Sequence, residues 1–258
     1  MRVAIIAPTP LLKEYAVLGD NYHLTLAHQI LEGGEYLNFY RQRRVLGDYV
    51  ILDNSAHEFG EGLNLGRLAT AIQLLAPQEV VLPDRVFFGD DTLALSTEAY
   101  QYLAPKYSSL RLMGVPQGRT RQEYFCCLEG LVDLGVTALG VSKDYEVWEG
   151  GLVSLVEEVL RLAPNLPIHL LGWGRDLPQL WSLATTFPDQ IRGVDSAKPL
   201  VYASQGLYLS MDPGAVVPEY PRRSPNFFHL QDLDPPTALH NITVFRSWAQ
   251  GQGGKPRG

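Results

Sequence analysis

Short apolar runs recur along the chain, and each is followed by a stretch whose apolar residues fall at helical spacing. The runs predict strands over residues 3–7, 49–53, 79–83, 110–115, 138–142, 167–172 and 191–195. Between them, apolar positions three and four apart predict helices over 65–75, 91–103, 121–134, 152–162 and 177–186. Several helices carry a start signal. Asn64 stands before the first, Asp90 or Asp91 before the second, Thr120 with Glu123 three residues on forms a capping box, and Asp176 precedes Leu177-Pro178.

Strand and helix in strict alternation predict βαβ units and a parallel sheet, and the near-continuous apolar strands fit a sheet covered by helices. Residues 206–211, with Leu207, Tyr208 and Leu209, supply an eighth strand. Eight such units make an α/β fold, a (β/α)8 TIM-type barrel, and the length of 258 residues suits it as one domain over 1–250. Past residue 212 the pattern breaks at Asp212-Pro213-Gly214 and again from Pro218 to Pro225. A C-terminal helix is expected over 237–248, and the Gly-rich residues 251–258 are expected to be disordered.

Composition narrows the picture. With 46% hydrophobic and 19% charged residues, the chain is that of a packed globular protein. No run approaches the roughly 20 apolar residues of a membrane span, and the first residues are too short for a signal peptide, so no membrane partner and a cytoplasmic location are expected. The only cysteines, Cys126 and Cys127, are neighbours in a helix and are read as partly buried thiols. A net charge of −7 weighs against a nucleic-acid partner, although Arg41-Gln42-Arg43-Arg44 and Arg222-Arg223 are two basic clusters. No G-x-G-x-x-G or P-loop follows any strand, which disfavours dinucleotide and nucleotide-phosphate folds.

Polar residues cluster at the strand ends. The chain reads Leu52-Asp53-Asn54-Ser55, Leu82-Pro83-Asp84, Val115-Pro116-Gln117-Gly118, Gly140-Val141-Ser142-Lys143, Gly172-Trp173-Gly174 and Val194-Asp195-Ser196. In a barrel of this class the C-terminal strand ends form the active-site face. Asp53 and Asp84 stand too far before their helices to act as caps. Carboxylates brought near one another split in pKa, and such a pair suits either attack at an anomeric carbon or metal binding. His-x-His and H-E-x-x-H motifs are lacking, so no metal is expected.

With these strand ends in view, the chain resembles the tRNA-guanine transglycosylase superfamily, especially its short phage-type members that put 7-deazaguanine bases into DNA. The family's Asp-Ser-Gly-(Gly/Ala) motif, its general acid/base, resembles Asp53-Asn54-Ser55-Ala56. A base-binding aspartate falls at Asp84, the Val-Gln-Gly segment at Gln117 and Gly118, and the Gly-rich strand at Gly140. The nucleophile segment resembles Asp195-Ser196-Ala197-Lys198-Pro199. The resemblance implies Asp195 and Asp53 as catalytic residues, with Asp84, Gln117, Gly118, Gly140, Asn54 and Ser55 around the base. Arg41, Arg43, Arg44, Lys143 and Lys198 are candidates to hold a nucleic-acid backbone, and Phe87, Phe88 or Trp173 to stack on a base.

The family's C-x-C-x-x-C zinc site is missing, leaving only His240-Asn241, so no cofactor and no zinc subdomain are expected. Without it, DNA is preferred over tRNA as substrate. Three alternatives remain open: base exchange on tRNA, a metal-dependent hydrolase using Asp53, Asp84 and Asp195 with His23 or His28, and a non-catalytic binding barrel. Oligomeric state is not legible.

Overall fold

The structure is a computed structural model that describes residues 1–173, 176–212 and 223–252. Its strands are β1 (Arg2–Ile5), β2 (Tyr22–Leu26), β3 (Tyr49–Asp53), β4 (Glu79–Val81), β5 (Arg111–Gly114), β6 (Ala138–Ser142), β7 (Ile168–Leu171) and β8 (Ile191–Ser196). The helices, in chain order, are α1 (Leu12–Tyr15), α2 (Ala27–Glu32), α3 (Gly34–Val45), α4 (Ala56–Phe59), α5 (Leu65–Leu75) and α6 (Gly89–Lys106), then α7 (Arg121–Leu134), α8 (Gly151–Leu162), α9 (Leu177–Thr186), α10 (Lys198–Ala203) and α11 (Pro235–Ala249). The sheet runs β1-β8-β7-β6-β5-β4-β3-β2, and β1 pairs with β8, β3 with β4, β4 with β5 and β5 with β6 in parallel. Sequential parallel neighbours joined by helices are the topology of a (β/α)8 TIM-type barrel. Among the described residues no helix is long and apolar enough to cross a membrane.

The eighth strand differs from the expectation. It is β2, and residues 206–211 form no strand. Tyr22-His23-Leu24-Thr25-Leu26 alternates polar with apolar residues, yet all five are buried. The Thr25 hydroxyl donates to the Ile51 carbonyl at 3.1 Å, which removes the polarity that disguised the run. The backbone of 206–211 is bound instead by side chains of α11. Asn241 accepts from the Leu209 N–H at 2.7 Å and donates to the Leu207 and Pro199 carbonyls, while the Trp248 indole donates to the Ser210 carbonyl. His240 Nε2 lies 2.9 Å from the Leu209 carbonyl oxygen.

The chain divides into two compact units, one of Met1–His23, Ser142–Leu155 and Leu170–Gly258, the other of Leu24–Val141 and Val156–His169. In the first, β1 and β8 pair and α11 packs on α9 and α10. Asp20 finishes the edge of β1: its carboxylate accepts the Val3 N–H at 2.8 Å and pairs with Arg246 at 2.8 Å. In the second, Val50, Ile51, Leu52, Val80, Val81 and Met113 of the strands and Leu68, Leu128 and Leu131 of the helices are fully buried, each such side chain contributing roughly 1.5–3 kcal/mol.

The caps follow from local chemistry. Asn64, Thr120 and Asp176 accept N–H groups three residues on, from Arg67, Glu123 and Gln179. Asp90 and Asp91 are an exception to the expected caps, since α6 begins earlier and both fall inside its first turn. Its first N–H, that of Gly89, is satisfied from a distance by Glu123 at 3.0 Å. This carboxyl is also held by the Arg119 N–H, and the two donors keep its pKa below the ordinary value. The arrangement needs two glycines. A Cβ on Gly89 would stand 2.8 Å from the Gln117 carbonyl oxygen, and one on Gly118 would stand 2.3 Å from the Tyr124 nitrogen. The loop after β5 is thereby pressed against α6 and α7.

Candidate active site

β3 ends in Asp53, and the next two residues turn the chain into α4. Ser55 sits in the left-handed region at φ 67°, a conformation that costs a residue with a side chain about 1 kcal/mol or more. Three hydrogen bonds define the turn. The Ser55 N–H donates to Asp53 Oδ2 at 2.7 Å, the Ala56 N–H to Asn54 Oδ1 at 2.7 Å, and the Ser55 hydroxyl lies 2.8 Å from His28 Nδ1. With its oxygen committed to the backbone, the Asn54 amide can present only its NH2 group elsewhere.

That NH2 group meets Asp84. Asn54 Nδ2 donates to Asp84 Oδ1 at 2.6 Å and to the Leu82 carbonyl at 2.6 Å. From the next strand end, Gln117 Nε2 donates to Asp84 Oδ2 at 2.6 Å. Gln117 is itself oriented, because its Oε1 accepts the Phe87 N–H at 3.0 Å. Residues from the ends of three consecutive strands, 30 and 33 positions apart, thus converge on one carboxylate.

Residues 60–62 run alongside 84–86, with Gly62 N–H to the Asp84 carbonyl and Val86 N–H to the Gly60 carbonyl. Gly62 permits this approach, since a Cβ there would stand 3.0 Å from Pro83 Cα. Asp84 is only 3% exposed. Burial disfavours the charged form and pushes its carboxyl up to about 6, while the Asn54 and Gln117 hydrogen bonds pull the other way.

Phe87 is held at φ 68° and is 40% exposed, a strained position for an aromatic residue. Its neighbour Phe88 lies between two guanidinium groups, Arg119 at 4.1 Å and Arg85 at 4.6 Å from the ring centre. Gly140 lies within β6.

Asp195 belongs to the other unit, in β8. It is 6% exposed, and its Oδ1 accepts the Gly172 N–H at 3.0 Å. Gly172 has φ 64°, and Lys143 Nζ occupies the space a side chain would need, 3.2 Å from where a Cβ would be. Asp195 and Lys143 therefore flank the same glycine. Trp173 is buried, its N–H donating to the Asp195 carbonyl and its carbonyl accepting from Ser196 Oγ. Lys198 is buried at 1% exposure with its ammonium 5.5 Å from the Tyr202 ring centre, an interior setting rather than a surface one.

The three arginines of α3 each use the Nε–H for a local partner. Arg41 donates to the Leu74 carbonyl and Arg44 to the Ala76 carbonyl, each at 2.6 Å, closing the end of α5. Arg43 pairs with the buried Asp48 at 2.5 Å. Asp48 precedes β3, so this cluster sits at the opposite end of that strand from Asp53, about 17 Å away at the usual rise per residue. Arg222, Gly174 and residues 253–258 lie outside the described residues; Arg223 packs over Phe228. Among the described residues no three His, Cys, Asp or Glu side chains are grouped to hold a metal ion.

Two residues stand in settings that their readings from sequence did not include. His28, a candidate ligand of the metal-dependent alternative, faces the Ser55 hydroxyl, and the signal for that pairing was indirect: Ser55 stands where the resembled motif carries glycine. Phe87, a candidate to stack on a base, has a positive φ and donates its N–H to Gln117.

The chain matches no protein-family model and no curated protein. Solved structures share its fold at low identity. A D-psicose 3-epimerase is 12% identical with a TM-score of 0.54, over 98% of this chain and 100% of that one. Active domain 2 of a chitinase from Pyrococcus furiosus is 14% identical at 0.56, over 98% and 96%. A 2,3-dimethylmalate lyase is 11% identical at 0.52, over 79% and 76%. These are enzymes of varied type on one fold.

Proposed function

We propose that this chain is an enzyme, a guanine transglycosylase that exchanges guanine in DNA for a 7-deazaguanine base through a covalent aspartate intermediate. The observation that carries the reading is the Asn54–Asp84–Gln117 constellation. Both Asp84 oxygens accept amide N–H groups whose orientations are fixed by the backbone, so the carboxyl group serves as an acceptor. A carboxylate offers about four lone-pair sites, and with the Asp84 backbone N–H using a third, room is left for one further donor. Guanine and 7-deazaguanine present N1–H and an exocyclic NH2 as adjacent donors, whereas adenine presents an acceptor at N1, so this group selects the guanine edge.

The roles of the other residues come from the resemblance. A carboxylate oxygen of Asp195 forms a bond to C1′ of the target nucleotide as the C1′–N9 bond breaks, and the departing electron pair stays on guanine. Asp53 gives guanine its proton. The incoming base then loses its N9 proton to Asp53, N9 bonds to C1′, and the C1′–O bond to Asp195 breaks. Two displacements restore both carboxyl groups and retain the anomeric configuration. The target nucleotide must leave its stack for C1′ to be reached.

The test is a trapped adduct. Incubated with guanine-containing DNA and no incoming base, the protein should migrate as a denaturation-resistant protein–DNA species, and Asp195→Ala should abolish it while its unfolding transition stays cooperative. An adduct formed equally well by Asp195→Ala sinks the assignment. Labelled 7-deazaguanine incorporated into tRNA but not DNA would replace the substrate and leave the chemistry.

A further inference from the structure

Ser55 presents a physical problem that its neighbours solve. A left-handed residue between β3 and α4 is best filled by glycine, which takes positive φ without penalty. Here φ is 67°, the side chain is fully buried, and the turn it makes aims Asp53 and Asn54 in different directions. The two local bonds of the turn, from the Ser55 N–H to Asp53 and from the Ala56 N–H to Asn54, are made by the very side chains that must be aimed. They hold the turn only if the turn is already held.

The independent support comes from His28, in the first turn of α2. Its Nδ1 lies 2.8 Å from the Ser55 hydroxyl, and its backbone N–H donates to the same oxygen at 3.3 Å. With that oxygen accepting the backbone N–H, the hydroxyl proton is free to point at Nδ1. The ring is fixed in turn by an edge contact with Phe59, centroids 5.2 Å apart.

We propose that His28 is a positioning residue: through the Ser55 hydroxyl it locks the left-handed turn that sets the Asp53 carboxylate and the Asn54 amide, and so the Asp84 acceptor. This rests on the base-exchange reading for its catalytic consequence. The hydroxyl–imidazole pair substitutes for the conformational freedom of glycine, which makes the two positions interdependent. Remove the side chain at 55, and His28 loses its task.

The experiment is a double-mutant cycle on the full chain with wild type, His28→Ala, His28→Asn, Ser55→Gly and the pair His28→Ala with Ser55→Gly. Asparagine carries a polar δ atom where histidine carries Nδ1. His28→Ala should lower kcat for base exchange at least tenfold with KM rising as Asn54 and Asp84 lose register, and His28→Asn should recover most of the loss. In the Ser55→Gly background, His28→Ala should cost less than twofold. A His28→Ala enzyme with unchanged kcat, or an equal loss in both backgrounds, overturns the proposal. If wild type exchanges no base, the functional reading fails separately, and the cycle is read from urea midpoints. Non-additive midpoints then support the positioning role, and additive ones refute it.

Discussion

Replacing Asp84 by asparagine keeps the shape of the buried network and removes its pH-dependent charge, leaving a pH-independent mismatch that a pH series separates out. In the folded protein burial raises this carboxyl from 3.8 to about 6. Between those values the folded chain keeps a proton that the unfolded chain has lost, so stability falls as pH rises through that window. Below it neither state is charged and the group contributes nothing; above it the folded state bears the full cost of a buried carboxylate. At about 1.4 kcal/mol per pKa unit the gap of roughly two units is worth about 3 kcal/mol.

Asparagine carries no such pH dependence, but its own NH2 group must face a donor. Gln117 cannot turn away, because Phe87 holds its Oε1, and Asn54 cannot, because Ala56 holds its Oδ1. That mismatch costs about 1–3 kcal/mol at every pH. The variant is thus weaker than wild type near pH 4 and equal to it or up to about 2 kcal/mol more stable near pH 7.5. With a urea m-value of about 3 kcal/mol per M, the difference between the two midpoints should move by about 1 M in favour of the variant across that range. Urea titrations of both proteins at several pH values measure it. A separation that stays constant from pH 4 to pH 7.5 refutes the account of Asp84 as a desolvated carboxyl.

Two further substitutions test how the frame supports the site. Asn241→Leu leaves the Leu209 N–H and the Leu207 and Pro199 carbonyls without their side-chain partner, and should lower stability by about 2–4 kcal/mol in chemical denaturation; an unchanged midpoint means that α11 does not hold the 206–211 segment through this side chain. Gly118→Ala drives a methyl group to within 2.3 Å of the Tyr124 nitrogen, which should cost about 1–3 kcal/mol of stability and, on the proposed base-exchange reading, raise the KM for base through the adjacent Gln117; a variant with wild-type stability shows that the loop after β5 yields without cost.

Much of the frame was written in local pattern. Strand and helix periods depend on residues a few positions apart, so β3, β6, α5, α7 and α9 emerge with the bounds their apolar spacing and caps predict. The strand ends that carry Asp53, Asp84 and Gln117 were visible for the same reason. β2 was not, because polar groups at His23 and Thr25 look exposed until a partner is supplied: a carbonyl of the neighbouring strand receives the Thr25 hydroxyl. The end of α6 is similar, since the group that caps it comes from α7.

What tertiary structure alone decided are the pairings across distance and their consequences. No spacing rule links Asp84 to amides 30 positions before it and 33 after it, or assigns its raised carboxyl pKa, which follows from its burial. Arg41 and Arg44, read as members of a basic cluster, also donate to the carbonyls that close α5. The left-handed turn at Ser55 and its tie to His28 were equally hidden. Hydrophobic periodicity is a property of neighbours in sequence and determines the elements; desolvation and hydrogen-bond geometry are properties of neighbours in space, and only the folded chain brings those together.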